Sequence, residues 1–190
     1  MIIKQALYDG KFIHERFAYR YYNKEVSPYG NIIAFRAPMH VTDALIDLED
    51  SLSQDFIYSY DAINFCWEIP NLDSFGAVAF QRLFNTLLSD IFYDYISHFG
   101  KMKGDDIMVK VPIDPYNFDN KKASVSITYS KNNTAIGHTG INVKAGDKAP
   151  AFAYSSNLTD EECESFMQEV IKMFNDTVQD IFVATTKVIV

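Results

Sequence analysis

Four short segments of the chain combine residue types that can do chemistry. The first is Lys121-Lys122-Ala123-Ser124-Val125-Ser126-Ile127-Thr128-Tyr129. Strand alternation puts Lys122, Ser124, Ser126 and Thr128 on one face and Val125 and Ile127 on the other. Hydroxyls headed by an ammonium group suit a phosphate or carboxylate inside a cleft; on an outer sheet face they mean nothing. The second segment, Tyr58-Ser59-Tyr60-Asp61, interrupts an apolar run with polar groups. Such groups reach a partner or line a cavity, and a bend in the strand would turn Asp61 and Asn64 to one side. The third is the acidic set Asp43, Asp47, Glu49 and Asp50. On a helix, Asp43 shares a face with Asp47, and Asp47 with Asp50. That face either holds Mg²⁺ through hard oxygen ligands or is simply solvated. The fourth is Gly137-His138-Thr139-Gly140-Ile141-Asn142. Two glycines within a β segment mark a bulge or a close backbone approach, and His138 is either a structural hydrogen-bonder or a site residue.

Other chemistry is missing from the sequence. There is no GxxxxGK phosphate loop, no GxGxxG turn, no HExxH and no GxSxG elbow. The cysteines, Cys66 and Cys163, have no metal-ligand spacing and form no disulfide framework. Seventeen basic against 25 acidic residues give a net charge of −8, so general nucleic-acid binding, which needs many cations, is not expected. A local basic pocket is compatible with that total. Met1 to Leu7 lacks the apolar core of a signal peptide, and no run approaches the roughly 18 apolar residues of a membrane span. With two reduced thiols, the expectation is a cytoplasmic protein with no membrane partner.

The elements that must carry these segments follow from periodicity and punctuation. Ile2–Tyr8 and Lys11–Ile13 read as strands around an Asp9-Gly10 turn, and His14–Asn23 as a short helix. Asn31–Arg36 reads as a strand ended by Pro38. Val41, Ala44, Leu45, Leu48 and Leu52 have helical spacing, which predicts a helix over 41–52. Phe56–Ile69 reads as one kinked strand or two. Ser74 opens a helix running to His98, with Gly100 as its stop. Lys101–Asp106 is turn-like, Ile107–Val111 a strand and Pro112–Asn120 a loop. Strands over Ala123–Tyr129 and Thr134–Val143 precede a loop. Thr159 and Glu162 then have the spacing of a capping box. It opens a helix to about Asn175, with a second to about Lys187. No regular strand–helix alternation occurs, so the expected class is α+β: a mixed, mostly antiparallel sheet packed with helices in a single domain over 1–190.

Taken in order, FRAPMHVTDALIDLED (Phe35–Asp50), YSYDAINF (Tyr58–Phe65), AFQRLFNTLL (Ala79–Leu88), KKASVSI (Lys121–Ile127) and HTGIN (His138–Asn142) resemble a family of uncharacterised archaeal and bacterial proteins, domain of unknown function 366. A more distant resemblance is to the lipoate and biotin protein ligases. Tyr60-Asp61-Ala62-Ile63-Asn64 is similar to their His-Asp-x-Gly-Asn-type segment. Asp105-Asp106-Ile107-Met108-Val109 is similar to their Asn-Asp-Leu-x-Val strand, Lys122-Ala123-Ser124-Val125 to their lysine strand, and His138-Thr139-Gly140 to their His-His-Gly strand. The ligases' Arg-Arg-x-x-Gly-Gly-Gly stretch is replaced here by Asp55-Phe56-Ile57-Tyr58-Ser59, and Val125 stands where they have glycine. The resemblance implies a ligase-like fold. It implies Lys122 as the group that neutralises carboxylate or phosphate charge, with Asp61, Asn64, Asp106, Ser124, Ser126 and His138 around the ligand. The ligand class is a nucleotide or small carboxylate, with ATP and Mg²⁺ as the matching cofactors. The alternative is a non-catalytic assembly protein, a homo-dimer using exposed aromatics: Phe17, Tyr19, Tyr21 and Tyr22, together with Phe92, Tyr93 and Tyr95.

Overall fold

The protein is described by a computed structural model covering residues 1–14, 16–23, 27–43, 45–53 and 55–187. Two antiparallel sheets share the chain. The larger has the order β1 (Asn31–Val41), β2 (Ile57–Pro70), β7 (Thr134–Lys144), β6 (Ser124–Lys131). The smaller joins β3 (Gly100–Lys103), β4 (Asp106–Pro112) and β5 (Phe118–Lys122). Two long helices, α4 (Ser74–Ile96) and α5 (Asp160–Thr185), cover one face of the larger sheet. Short helical turns α1 (Lys11–His14), α2 (Phe17–Tyr22) and α3 (Leu48–Ser53) complete the set.

The long helices form where the sequence gives both an amphipathic stripe and a cap. Asp73 caps α4 by accepting from the Gly76 amide at 2.7 Å. Thr159 and Glu162 make both bonds of the capping box on α5, and α5 runs as one helix rather than two. The buried stripes, Phe80, Phe84 and Leu88 on α4 and Phe166, Val170 and Phe174 on α5, pack on Phe65 and Trp67 of β2. Gly137 of β7 is obligatory beneath them: a Cβ there would lie 2.0 Å from the Trp67 ring.

The opposite face of the larger sheet carries Phe35, Met39, Ala62 and Cys66, and the N-terminal segment covers it with Tyr8, Phe12 and Phe17. That segment forms no hairpin. Ile2 and Tyr8 make single parallel bridges to Ala34 and Met39 of β1, and Lys11–His14 is a helical turn. Nor does Pro38 end β1. It falls at the register irregularity between Ala37 and Met39, where a residue without an N–H is tolerated.

The predicted helix over 41–52 is also corrected. Val41 is the last residue of β1, Asp43 lies in a bend, and helix begins only at Leu48. Ala44 and the Glu49 side chain lie outside the described residues. Leu48 and Leu52 are exposed, so the apolar spacing marked no core stripe. The smaller sheet was missed in part. Gly100–Lys103 and Phe118–Lys122 are strands whose side chains are mostly exposed, and without a buried face they show no apolar alternation. Phe17 and Phe92 are core residues, whereas Tyr19 and Tyr21 are exposed. Among the described residues, no helix is long and apolar enough to cross a membrane.

Candidate functional site

Lys122 sits where the chain passes from one sheet to the other. Its amide donates to Phe152 O and its carbonyl accepts from Tyr154 N, both at 2.8 Å, while β5 pairs it with Met108 of β4. The next residue, Ala123, is fully buried and bonded on both sides, its amide to Ile107 O and its carbonyl to Asn142 N, each at 2.9 Å. Ser124 then begins β6, and its hydroxyl accepts from the Ile107 amide at 2.9 Å. The backbone beneath Lys122 is therefore fixed, and only its side chain is free to meet a ligand. The ammonium lies 2.7 Å from Asp106 Oδ1, both side chains being about one-third exposed (32% and 28%).

Two cavities meet at this lysine. One, of about 330 Å³, lies between the sheet wall (Val125, Ile127, His138), the N-terminal segment (Tyr8, Gly10, Ile13) and the 41–50 segment (Val41, Leu45, Ile46). Asp47, Asp50, Asp105, Asp106, Ile57 and Ser126 also line it, together with Lys122. The other, of about 380 Å³, is walled by Phe56, Tyr58, Pro150 and Phe152, with Ser124 and Asn142 beneath. Asp50, Ile57, Lys122 and Val125 line both. Lys122 is the only cation lining either one among the described residues. Lys148 stands just outside, its ammonium 5.5 Å from the centre of the Tyr58 ring. Asn142 is only 5% exposed, and its Oδ1 is buried with no hydrogen-bond partner among the described residues. A buried amide oxygen left unbonded is costly and points to a missing donor.

His138 lies in the wall of the first cavity, in an environment that sets its proton. Asn64 Nδ2 donates to Ala37 O at 3.3 Å and to Ala62 O at 3.2 Å, so Asn64 Oδ1 must accept. His138 Nε2, 2.9 Å from that oxygen, therefore carries the hydrogen. Burial pushes the imidazole pKa down to about 3, keeping it neutral. Tyr8 stacks on the ring with centroids 3.8 Å apart.

The expected residues divide accordingly. Lys122, Asp106, Ser126 and His138 border the first cavity, Lys122 and Ser124 the second. Asn64 lines neither cavity and is hydrogen-bonded to His138. Asp61 does not join them, and its expected place beside Lys122 is corrected. Arg36 holds it in a two-pronged pair at 2.9 and 2.7 Å and reaches Asp160 at 2.6 Å. The pair ties β1 and β2 to the start of α5 and holds the Arg36 guanidinium charged.

The hydroxyl-lined face is corrected too. Ser126 faces α4, accepting from Gln81 at 2.8 Å and Asn85 at 3.0 Å, and the Thr128 hydroxyl is bonded to Ile136 O. The cavity wall is instead the apolar side, Val125 and Ile127. The hydroxyls belong to a buried layer in which Asn85 also donates to Asp105 O and accepts from Thr139. This layer holds the 105–106 turn in place. Asp43 lines neither cavity, but Asp47 and Asp50 do, from loop and short helix rather than one long helical face. Among the described residues, no group of three or more His, Cys, Asp or Glu side chains is placed to hold a metal. Sequence reasoning did not single out Asn142. Counting by twos from His138 finds it, because β7 turns His138, Gly140 and Asn142 to one face.

Comparison with known proteins matches this arrangement to a fold. A protein of unknown function from Pyrococcus horikoshi superimposes with a TM-score of 0.80 at 22% identity, covering 100% of this chain and 98% of the other. Biotin protein ligase from Aquifex aeolicus, solved with biotin and ATP, gives 0.57 at 13% identity over 94% of this chain and 70% of its own. A putative lipoate protein ligase from T. acidophilum with bound lipoic acid gives 0.58 at 11% identity over 92% and 83%. At these identities the likeness shows the fold, which is that of the biotin and lipoate protein ligases. No curated protein matches the sequence. The family described as "Domain of unknown function (DUF366)" matches residues 1–189, and the chain belongs to that family.

Proposed function

We propose that the protein binds a small carboxylic acid and a nucleotide in adjoining cavities, with the junction between acyl group and phosphate at Lys122. The observation that carries this reading is that both cavities are lined by Lys122, the one cation among their described lining residues. The unpartnered Asn142 oxygen and the aromatic rings of Phe56, Tyr58 and Phe152 suit a nucleobase in the second cavity. The first cavity, with its apolar wall, takes the acid's tail.

The chemistry supported is adenylation. A carboxylate oxygen bonds to the α-phosphorus of ATP, the α–β bridging P–O bond breaks, and pyrophosphate leaves. Lys122 stabilises the charge at the reacting phosphate, and no protein nucleophile is required. Magnesium on the nucleotide phosphates would need only one or two protein carboxylates, and Asp50 and Asp106, which line the cavities, would hold it and so offset phosphate charge. A second reading, binding without turnover, is favoured by one departure from the ligases. Asp55-Phe56-Ile57-Tyr58-Ser59 stands where those enzymes have a glycine-rich stretch, and Phe56 and Tyr58 do not allow the close backbone approach that glycines do.

Thermal denaturation with ATP·Mg²⁺ and biotin, lipoate or octanoate tests the proposal. A ligand at a hundredfold excess over its dissociation constant adds about 2.7 kcal/mol of stability. The expected result is a raised midpoint in the wild type and none in Lys122→Ala. No shift with any combination overturns binding. A shift without pyrophosphate release leaves the non-catalytic reading.

A further inference from the structure

The first cavity has a second polar end, away from Lys122. β6 leads from the lysine to Ile127, which pairs directly with His138 of β7. Five residues of extended chain set His138 up to about 16 Å along the sheet from Lys122. There Tyr8 and His138, 3% and 1% exposed, line the cavity together. The Tyr8 backbone is fixed to β1, its amide donating to Pro38 O and its carbonyl accepting from the His40 amide, both at 2.9 Å. Its ring lies nearly parallel to the imidazole, with 10° between the planes.

Each of these side chains carries a polar atom with nothing to bond. With its hydrogen on Nε2, the neutral imidazole keeps a lone pair on Nδ1. Burial raises the Tyr8 phenol well above its ordinary pKa, so its oxygen keeps the hydrogen. Among the described residues neither His138 Nδ1 nor Tyr8 Oη has a hydrogen-bond partner, and neither is sealed inside the fold, so both are reachable from the cavity their residues line. Polar atoms of nine-tenths buried side chains left unbonded in a cavity wall point to a ligand group that bonds them.

We infer that the acid bound in the first cavity ends in an uncharged hydroxyl or amide group, which donates a hydrogen bond to His138 Nδ1 and accepts one from Tyr8 Oη. This rests on the reading of that cavity as the acid's and names the class of acid.

The direction of the bonds makes the selection. Nδ1 can only accept, so the group facing it must carry an O–H or N–H. Tyr8 Oη both donates and accepts, so a hydroxyl, or an amide with its N–H and C=O, satisfies both atoms. A plain alkyl tail covers the two atoms and bonds neither, which leaves their desolvation uncompensated. A second carboxylate offers acceptors only, meets the Nδ1 lone pair, and is buried without a cation beside it. Val125 and Ile127, on the wall between the two ends, take the methylene groups of the chain.

Calorimetric titration of the full chain tests this with ω-hydroxy acids of the hexanoic to dodecanoic series. The alkanoic and α,ω-dicarboxylic acids of the same lengths run beside them, against the wild type and Tyr8→Phe. The variant removes only the hydroxyl and keeps the stacked ring, and circular dichroism melts check that it folds; the wild-type preference is read without it. At the best-fitting length, the expected result is a hydroxy acid bound about tenfold more tightly than the alkanoic acid, the dicarboxylic acid being weakest. Tyr8→Phe should cut that advantage to about threefold or less. An alkanoic acid bound as tightly as its hydroxy counterpart at every length overturns the inference and leaves acid binding standing. A hydroxy-acid advantage unchanged in Tyr8→Phe also overturns it, by placing the bonding group elsewhere. If no acid of any class binds, with or without ATP·Mg²⁺, the reading of the cavity as an acid site falls and the inference falls with it.

Discussion

At the residue scale the site depends on three side chains in different states. Lys122 is held against Asp106, and in the proposed reading it exchanges part of that pairing for a ligand's anion. Asn142 has a buried acceptor with no donor among the described residues. His138 is fully committed at Nε2 and held neutral, which gives it a pH signature. Its pKa in the fold is about 3, against an ordinary 6.5. The unfolded chain therefore binds a proton between those values that the folded protein does not, and stability falls as pH drops from about 6.5 towards 3. The slope from this group alone is about 1.4 kcal/mol per pH unit. Urea unfolding of the wild type and of His138→Gln between pH 6.5 and 4 should show the variant losing less stability per unit; parallel curves would contradict the assignment. His138 and Lys122 were legible as site candidates because their residue types are rare in otherwise apolar or hydroxyl-rich strands. Asp61 misled because a carboxylate in a strand looks the same whether it faces a ligand or an arginine, and Arg36 is 25 positions away in sequence.

At the element scale, what places the site is the crossing at Ala123 and the polar layer under α4. Asn85 bridges Asp105, Ser126 and Thr139 from that helix. Replacing it with leucine leaves buried partners unbonded at about 1–3 kcal/mol each. Asn85→Leu should lower the unfolding midpoint and also weaken ligand binding, because the 105–106 turn loses its anchor. A destabilised variant with unchanged ligand affinity would show that the layer is only structural. A separate test concerns the β2–β7 pair. Gly137→Ala forces a methyl group into the Trp67 ring and should cost at least about 1–3 kcal/mol, measured by urea unfolding; a neutral result would mean the ring has room to move.

The long helices and central strands were readable because each has a cap or an uninterrupted apolar run. The hydroxyl face of β6 was read with the correct alternation and the wrong destination. Periodicity separates two faces of a strand but does not say which of them meets a helix. Between residues 41 and 52, helical spacing and a cavity lining made of Leu45 and Ile46 look alike in one dimension.

At the scale of the whole molecule, the proposed anion site sits in a ligase-like fold whose overall charge is strongly acidic. Among the described residues, the two cavities share one cation, Lys122, and their other charges are aspartates. A nucleotide without a counter-ion meets mostly negative charge there. Stabilisation by ATP should therefore depend on Mg²⁺ and fade when a chelator removes it. An equal shift with and without Mg²⁺ would mean that the aspartates do not face the phosphates. Overall architecture was accessible from the order of the elements and the family resemblance. Of the smaller sheet only β4, with buried Ile107 and Val109, was legible, because β3 and β5 are short and polar with mostly exposed side chains.

The most direct test is calorimetric titration with a non-hydrolysable acyl-sulfamoyl adenosine, which carries an acyl tail and a nucleoside on one anionic linker, against the wild type and Lys122→Ala. Occupation of both cavities predicts that the wild type binds this compound more tightly than either the free acid or the nucleotide, and that Lys122→Ala loses at least about tenfold in affinity. No binding, or equal affinity in the two proteins, would contradict the placement of an anionic junction at Lys122.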